Sequence, residues 1–297
     1  MEWLTDRRIG SQTGVLFIIA IVMIDIILIG LIITQPINLL TFVAGLLATF
    51  TLPLIALIVY QLRGLNRSGY ALDRNALTIF WGPIKQIVPT AAIQRIMLGS
   101  EIEGRIKFSG WRWPGLMVGQ GEVPDAGFTL FYSTVALSEQ LIVITPTISY
   151  AISPTDVAGF IESIKARYEL GPTQELEQTS ERPPIFEWPL WRDRLMYVFG
   201  LIGFVLCAAL FAFVCIRYAD LPARLPLHYT AEGLPDRFGS PAQAFILPFI
   251  GLLALVGNSL LGLWVYRREQ MTAYVLWGGM IFVQLLLWVG TLNVLKT

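Results

Sequence analysis

Residues 221–240 read LPARLPLHYTAEGLPDRFGS, and this polar loop separates two apolar runs, residues 195–216 and 242–266. Each run reaches the roughly 20 apolar residues that a helix needs to cross a bilayer. The loop contains three prolines, two glycines and His228, the only histidine of the chain. Prolines restrict the backbone and glycines permit tight turns, so we expect a loop of reproducible shape between two membrane helices.

Three further apolar runs, residues 14–34, 39–62 and 272–295, raise the number of candidate spans to five. The composition agrees, because 55% hydrophobic residues, 14% charged residues and a mean hydropathy of +0.63 exclude an ordinary soluble domain. The first run lacks a small-residue cleavage site and is followed by a second run, so we expect it to be retained. The chain is predicted to be an α-helical integral membrane protein with five transmembrane helices.

The basic residues that flank these runs favour one side of the membrane, and such residues tend to stay in the cytoplasm. A five-span path brings eight arginines to that side: Arg7, Arg8, Arg63, Arg67, Arg192, Arg194, Arg267 and Arg268. The prediction is a multi-pass protein of the bacterial cell membrane, with its N-terminus in the cytoplasm and its C-terminus outside. Arg217, Arg224 and Arg237 weaken the asymmetry and leave the opposite orientation open.

The region between the second and third runs has the pattern of a small soluble β domain. Seven short segments rich in branched and aromatic residues predict strands: 70–73, 76–81, 84–88, 93–98, 128–133, 141–145 and 148–152. Residues 153–156, with the sequence SPTD, predict a helix start with the Ser153 hydroxyl as N-cap, a proline at the first helical position and an acid at the third, and an apolar stripe at helical spacing follows over residues 157–168. We therefore expect an inserted small β-barrel, closed at one end by a C-terminal helix.

By composition the chain divides into four parts. The prediction is a two-helix transmembrane hairpin over residues 1–63, a soluble domain over 64–170, a linker with an interfacial anchor over 171–193, and a three-helix membrane domain over 194–297 whose extracytoplasmic loop spans 218–241. The linker carries glutamates at positions 175, 177 and 181 followed by two consecutive prolines, a composition that resists a packed core. Trp188 and Trp191 at its end are typical of a membrane surface.

Four stretches of the soluble domain, YALD at 70–73, LTIFWGPI at 77–84, IVP at 87–89 and YAISPTD at 150–156, carry a resemblance. They resemble the bacterial pleckstrin-homology-like domains found in membrane proteins. The resemblance implies a binding or assembly module and no catalysis. Residues 63–170 hold ten Lys and Arg against nine Asp and Glu, which argues against a dedicated reader of anionic lipid and against nucleic acid as a partner.

One basic and aromatic stretch of this domain is a candidate surface for membrane lipid or a protein partner. It comprises Arg105, Lys107, Trp111, Arg112 and Trp113, and an apolar segment follows it. Bases interleaved with tryptophan are typical of a lipid interface. The alternative is a long loop folded over the barrel mouth with its tryptophans buried, because large aromatic side chains usually belong to a core.

The outer loop carries a second resemblance, through Leu221-Pro222, Pro226, His228, Gly233, Asp236-Arg237 and Phe238-Gly239-Ser240. This motif resembles a membrane domain of unknown function in bacterial proteins related to the immunity protein against the sporulation-delaying killing factor. The resemblance implies recognition of a secreted peptide or control of a membrane partner. Thr230 and Pro241 depart from the pattern, where asparagine and lysine are common.

Four residues of this loop are candidates for partner binding: His228, Tyr229, Asp236 and Arg237. A histidine near a carboxylate can respond to pH, so His228 and Asp236 could act as a sensing pair. The alternative is a histidine that only holds the loop in place. A metal hydrolase built from His228, Asp220, Glu232 and Asp236 would have a single imidazole, and we expect no metal, no cofactor and no catalytic residue.

Three polar residues fall inside the apolar runs: Asp25, Asn258 and Gln284. An acid near mid-bilayer needs a partner or a proton, and Asn258 and Gln284 are the candidate partners of Asp25. Cys207 and Cys215 lie eight residues apart on one predicted helix, about 12 Å along its axis, so they cannot bridge each other. A packing role for Asp25 and a proton or solute pathway both stay open.

These features predict a non-catalytic receptor, immunity or assembly component that takes part in signalling. Its outer loop would recognise a peptide or envelope partner, and its soluble domain would bind a protein or the membrane surface. The alternative is a small-solute or proton-coupled transporter using Asp25, and an enzyme is a third class. A homo-oligomer stays open.

Overall fold

The computed structural model describes residues 1–184, 188–229 and 235–295, and it describes only the backbone of residues 226–229 and 235–237. Its contacts divide the chain into two compact units. The first unit comprises Met1–Met23 and Leu52–Glu187, and the second comprises Ile24–Thr51 and Trp188–Thr297. Helices α1 (Arg8–Thr34) and α2 (Leu39–Asn66) therefore contribute to both.

Within the described residues, five helices are long and apolar enough to cross a membrane, as the sequence predicts. Besides α1 and α2 they are α4 (Arg194–Arg217), α5 (Ile246–Tyr266) and α6 (Gln270–Val294), while α3 (Val157–Leu170) is the helix of the first unit. The two N-terminal helices extend beyond the apolar runs. Helix α1 begins at Arg8, before the first run, and α2 continues through polar residues to Asn66, after the end of the second run. The protein is a membrane protein.

The first unit is rich in β-structure. Its strands are β1 (Glu2–Trp3), β2 (Gly69–Leu72), β3 (Ala76–Trp81), β4 (Ile84–Pro89), β5 (Arg95–Leu98), β6 (Lys107–Trp113), β7 (Leu116–Val123), β8 (Gly127–Ser133), β9 (Leu141–Ile144), β10 (Ser149–Ile152) and β11 (Thr179–Glu181). One sheet has the order β1-β2-β3-β4-β11 and the other β5-β9-β10-β8-β7-β6. The pairs are antiparallel except β8 with β10.

The expected closed barrel is not confirmed. Closure requires hydrogen bonds between the outermost strands, whereas among the described residues β5 pairs only with β9 and β6 pairs only with β7. The seven predicted strands are all present, but four more strands join them. Two of these, β6 and β7, form a hairpin where the sequence left a long loop as one alternative, and β11 lies in the predicted linker and pairs with β4.

A buried aromatic core joins the two sheets to α3. Helix α3 begins three residues later than predicted, because the N-cap is Asp156 and not Ser153: the Asp156 side chain accepts a hydrogen bond from the Gly159 backbone, and the helix starts at Val157. Its apolar face buries Phe160 and Ile164 against Tyr70 of β2 and other core side chains. Helix α3 thus covers apolar surface of the strands.

In the second unit, helices α4, α5 and α6 pack together, and Asp193 links their ends. Its carboxylate accepts hydrogen bonds from the Leu195 backbone at 2.9 Å, the Tyr266 hydroxyl at 2.9 Å and the Tyr274 hydroxyl at 2.6 Å. Burial acts to raise the pKa of Asp193, but the bonds from Tyr274, Tyr266 and the backbone outweigh it and leave the pKa below its ordinary value. One carboxylate therefore caps α4 and ties it to α5 and α6.

The predicted interfacial anchor packs beside this carboxylate. Leu190 is buried with Trp277 and Ala273 of α6, and Trp188 packs against the same cluster. The guanidinium of Arg267 lies 4.6 Å from the centre of the Trp188 ring, a cation–π distance. Contacts with helix residues therefore fix the position of Trp188, in addition to the preference of its amphipathic ring for a membrane surface.

Candidate functional site

The basic and aromatic stretch of the first unit forms strand β6 and the β6–β7 hairpin. Pro114 and Gly115 make the two-residue turn, and Gly115 adopts a φ of 81°, which favours glycine. A Cβ at Gly115 would lie 2.1 Å from the Gly10 backbone nitrogen, so the turn packs directly on the first residues of α1. The hairpin is an ordered element fixed to the start of a membrane helix.

Trp113 is removed from the candidate surface by this packing. Its ring is 8% exposed, its indole nitrogen donates to the Gly10 carbonyl at 3.1 Å, and its edge meets the Phe17 ring. The partner atoms on α1 are about a hundred residues away in the chain, so no local pattern indicates them. The burial of Trp113 agrees with the alternative interpretation, in which the tryptophans of this stretch are buried. The backbone differs from that interpretation, because the segment is strand β6 and not a long loop.

The remaining members of the stretch divide between the surface and the interior. Arg105, Lys107 and Arg112 are exposed, and Lys107 forms an exposed ion pair with Glu122 at 3.7 Å. Such a pair contributes little to stability. Trp111 is half-buried and lines a cavity of about 380 Å³ together with residues that the sequence did not indicate, such as Trp81, Tyr132 and Arg182. Trp111 and the three basic residues stay candidates for a lipid or partner surface.

The polar loop at residues 221–240 contains a β-hairpin that the sequence predicted only as a shaped loop. Strand β12 (Leu225–Tyr229) pairs antiparallel with β13 (Pro235–Gly239), with irregularities on either side of His228. Leu225 at its base is fully buried, against Val214 of α4, Ala244 and Leu295. The hairpin is therefore anchored to the helices that flank it.

The partner-binding candidates lie on this hairpin. The backbone of His228 is paired with that of Arg237, and Tyr229 is paired with Pro235. The side chains of His228, Tyr229, Asp236 and Arg237 lie outside the described residues, as does Glu232 of the metal-hydrolase alternative. A bond between His228 and Asp236 therefore stays a prediction.

The partner of Asp25 differs from both candidates that the sequence offered. The Thr51 hydroxyl lies 2.9 and 3.0 Å from the two carboxylate oxygens of Asp25 and 2.7 Å from the Ala48 carbonyl. One hydroxyl proton is shared among these three acceptors, so within the described part of the chain Thr51 is the hydrogen-bonding partner of Asp25. The sequence held a signal for this pairing, because Asp25 and Thr51 lie at comparable distances on either side of the turn at residues 35–38.

Asn258 and Gln284 have other partners. The Asn258 amide donates to the Ala254 carbonyl of its own helix at 2.9 Å, and the Gln284 amide donates to the Gly251 carbonyl at 2.7 Å, joining α6 to α5. The three intramembrane polar residues therefore do not form one cluster. Cys207 and Cys215 are free and buried in α4.

Comparison with known proteins gives two matches by domain. Residues 68–168 match the family model described as "Bacterial PH domain", and residues 205–252 match the one described as "Domain of unknown function (DUF1648)". The second match covers about half of α4, both strands of the β12–β13 hairpin and the start of α5. No solved structure matches the chain.

A curated relative is an uncharacterized protein of Archaeoglobus fulgidus. It is 36% identical over 53 residues, which are 18% of this chain and 29% of that protein. The chain therefore matches less than a third of the relative's length. Taken with the five apolar helices, the domain matches describe a membrane protein that combines a pleckstrin-homology-like domain with a membrane domain of unknown function.

Proposed function

We propose that this protein is a non-catalytic receptor, immunity or assembly component of the bacterial cell membrane. In this proposal the outer hairpin, residues 225–239, recognises a peptide or an envelope partner, and the pleckstrin-homology-like domain binds a protein or the membrane surface. A relation to killing-factor immunity proteins is part of the proposal. The supporting observation is the hairpin itself, an ordered strand pair anchored by Leu225 between two candidate spans.

Anchoring favours recognition for a thermodynamic reason. A binding loop that is already ordered loses less conformational entropy on binding than a flexible loop does. The buried Leu225 holds one strand, and the backbone pairing of Leu225 with Gly239 holds the other. In the proposal, the side chains of His228 and Asp236, which lie outside the described residues, make the contacts with the partner.

The test is purification of the tagged protein from its native membranes in mild detergent, followed by mass spectrometry of co-purifying proteins. We expect a stoichiometric partner that is lost in Asp236→Ala and in His228→Ala. The control is Arg224→Ala, which removes an exposed charge just before the hairpin and should leave the partner bound. Recovery of the protein alone in every version contradicts the proposal.

The alternative class, a transporter, makes a different prediction for Asp25. If protons or solutes pass by this residue, Asp25→Asn abolishes function while the protein stays folded. If Asp25 only packs, the asparagine keeps a hydrogen bond with Thr51 and costs about 1 kcal/mol or less, in line with the modest strength of such bonds within membranes. Loss of solute or proton flux in reconstituted vesicles, with folding intact, would favour transport.

A further inference from the structure

A cavity of about 380 Å³ lies between the two sheets of the first unit, beside the end of α2. Its apolar walls come from both sheets and comprise Trp81, Ile84, Trp111, Val118 and Leu130. This volume falls at the lower end of the range for small-molecule sites. It suits one apolar chain and a small head group better than a two-chain lipid.

One wall of the cavity carries a buried hydrogen-bond donor without an acceptor. Trp81 is 3% exposed, and its indole nitrogen has no hydrogen-bond partner within the described part of the chain. The backbone of Gly64 covers this nitrogen, because a Cβ there would lie 2.7 Å from it, and both residues line the cavity. An unsatisfied buried N–H costs about 1–3 kcal/mol, so a ligand acceptor that reaches it by a small shift of the Gly64 backbone would recover stability.

Two further donors lie at the same cavity. The Tyr132 hydroxyl accepts a hydrogen bond from the Gln86 amide at 3.0 Å, which leaves its own proton for another acceptor. Burial raises the pKa of Tyr132 although Arg182 and Gln86 act to lower it, so the hydroxyl keeps its proton at neutral pH. Arg182 also lines the cavity and adds a positive charge.

Donors and positive charge at one site select a ligand head that only accepts. A carboxylate fits, since it accepts several hydrogen bonds and pairs with a guanidinium. The other walls are apolar, and Gln61 and Gly64 place the cavity at the end of a helix whose preceding residues are long and apolar enough to lie in the bilayer. A molecule that dissolves in the membrane can therefore reach it.

We propose that this cavity binds a single-chain anionic amphiphile, a long-chain carboxylate. Its chain lies against Trp111, Val118 and Leu130. Its carboxylate accepts from the Trp81 indole and the Tyr132 hydroxyl and pairs with Arg182. This site would give the soluble domain a ligand of its own, independent of any partner of the outer hairpin.

The test measures equilibrium binding of radiolabelled dodecanoate to the full-length protein in phosphatidylcholine nanodiscs, with empty nanodiscs as the blank. We expect one saturable site per protein. Three competitors separate the features of the ligand. Butyrate has the carboxylate without a long chain, dodecanol has the chain without a charge, and dodecyltrimethylammonium has the chain with the opposite charge. Each of the three should compete at least about tenfold more weakly than unlabelled dodecanoate, since one lost charge-assisted bond is worth about 1.5–3 kcal/mol.

Matched variants locate the site. Trp81→Phe removes the unpaired donor and should weaken dodecanoate binding about fivefold or more. Trp3→Phe makes the same change at another buried indole nitrogen without a described partner, away from the cavity, and should leave binding unchanged. Arg182→Gln alters an exposed side chain, so it should preserve folding and weaken binding about tenfold.

Four outcomes would overturn the proposal. The first is the absence of saturable binding above empty nanodiscs. The second is equal competition by dodecanol or dodecyltrimethylammonium, which would mean an apolar site that ignores charge. The third is equal competition by butyrate, which would mean a carboxylate site without a chain. The fourth is unchanged affinity in both Arg182→Gln and Trp81→Phe, which would place the ligand elsewhere.

Discussion

Tyr70 shows how a single side chain can connect several elements. Its hydroxyl donates to the Tyr132 carbonyl of β8 at 2.7 Å and accepts from the Ser153 backbone nitrogen, just before α3, at 2.9 Å. Tyr70 itself belongs to β2, so one hydroxyl joins the first sheet, the second sheet and the segment that leads into the helix. It is 2% exposed, and the packing around it leaves no room for water to replace these bonds.

This burial makes stability depend on alkaline pH. Desolvation raises the pKa of Tyr70 to about 12 even though hydrogen bonds from Ser153 act to lower it, while the unfolded chain keeps a value near 10. The stabilisation is complete below pH 10 and is lost as the pH rises towards 12, because the unfolded state then releases its proton first. We expect a loss of about 2–3 kcal/mol across this window, measured by thermal unfolding in detergent between pH 8 and 11.5.

Two variants separate Tyr70 from other tyrosines. Tyr70→Phe should cost about 2 kcal/mol at pH 8, because it strands a buried carbonyl and a buried N–H, and it should flatten the alkaline slope. Tyr168→Phe changes a side chain that is 65% exposed and should alter neither quantity. An alkaline slope that stays unchanged in Tyr70→Phe would assign the effect to Tyr132 or Tyr150, whose pKa values burial also raises.

At the element scale, glycines determine how closely helices α5 and α6 approach. A Cβ at Gly262 would lie 2.1 Å from the indole nitrogen of Trp277, so the tryptophan of α6 packs directly on the α5 backbone. Gly257, on the same helix, has nothing within 4 Å of the corresponding position. Glycine is therefore required for close packing at position 262, whereas no neighbouring atom in the described part of the chain requires a glycine at position 257.

We predict that Gly262→Ala destabilises the second unit by about 1–3 kcal/mol, because the added methyl group must displace Trp277 or the helix. Gly257→Ala should change stability by no more than about 0.5 kcal/mol. Unfolding in mixed micelles with increasing SDS, followed by circular dichroism, measures both. Equal effects of the two substitutions would contradict the close packing of α5 on α6.

The strands illustrate what the sequence can and cannot predict. Segments such as 76–81 and 141–145 combine branched and aromatic residues with flanking turn signals, and their type is readable locally. The hairpin of β6 and β7 is not, because Gly110, Gly119 and Gly121 weaken local strand propensity and its pairing depends on β8. Strand β11 likewise exists through its pairing with β4, about ninety residues earlier.

The candidate sites show the same difference between features that are readable from local sequence and features that depend on distant contacts. The outer motif around His228 could be recognised because its polar residues have fixed spacing along the chain. The cavity could not, because Trp81, Trp111 and Arg182 come from separate segments that only the fold brings together. Similarly, Trp113 meets its acceptor on Gly10 through a contact across about a hundred residues. Local spacing predicts motifs, whereas a site assembled from distant segments depends on tertiary packing.

At the scale of the whole molecule, the proposed function requires the outer hairpin to face away from the cytoplasm. Arginines flank the candidate spans mostly on the other side, among them Arg63 and Arg267, and this bias favours the required orientation. The opposing arginines of the hairpin segment, Arg217 and Arg224, make orientation a property that needs measurement. The native cysteines help, since Cys207 and Cys215 are 3% and 5% exposed and should react little with a water-soluble reagent.

We predict that a membrane-impermeant maleimide labels Ala223→Cys and Gln35→Cys in intact spheroplasts, whereas Ser100→Cys is labelled only after lysis. All three positions are exposed: Ala223 precedes the outer hairpin, Gln35 follows α1, and Ser100 lies in the soluble domain. The unsubstituted protein provides the background. The reverse pattern would place the soluble domain outside and the hairpin in the cytoplasm. Recognition of an envelope partner by the hairpin would then be physically excluded, whereas the carboxylate cavity, which depends only on the end of α2 and the two sheets, would still stand.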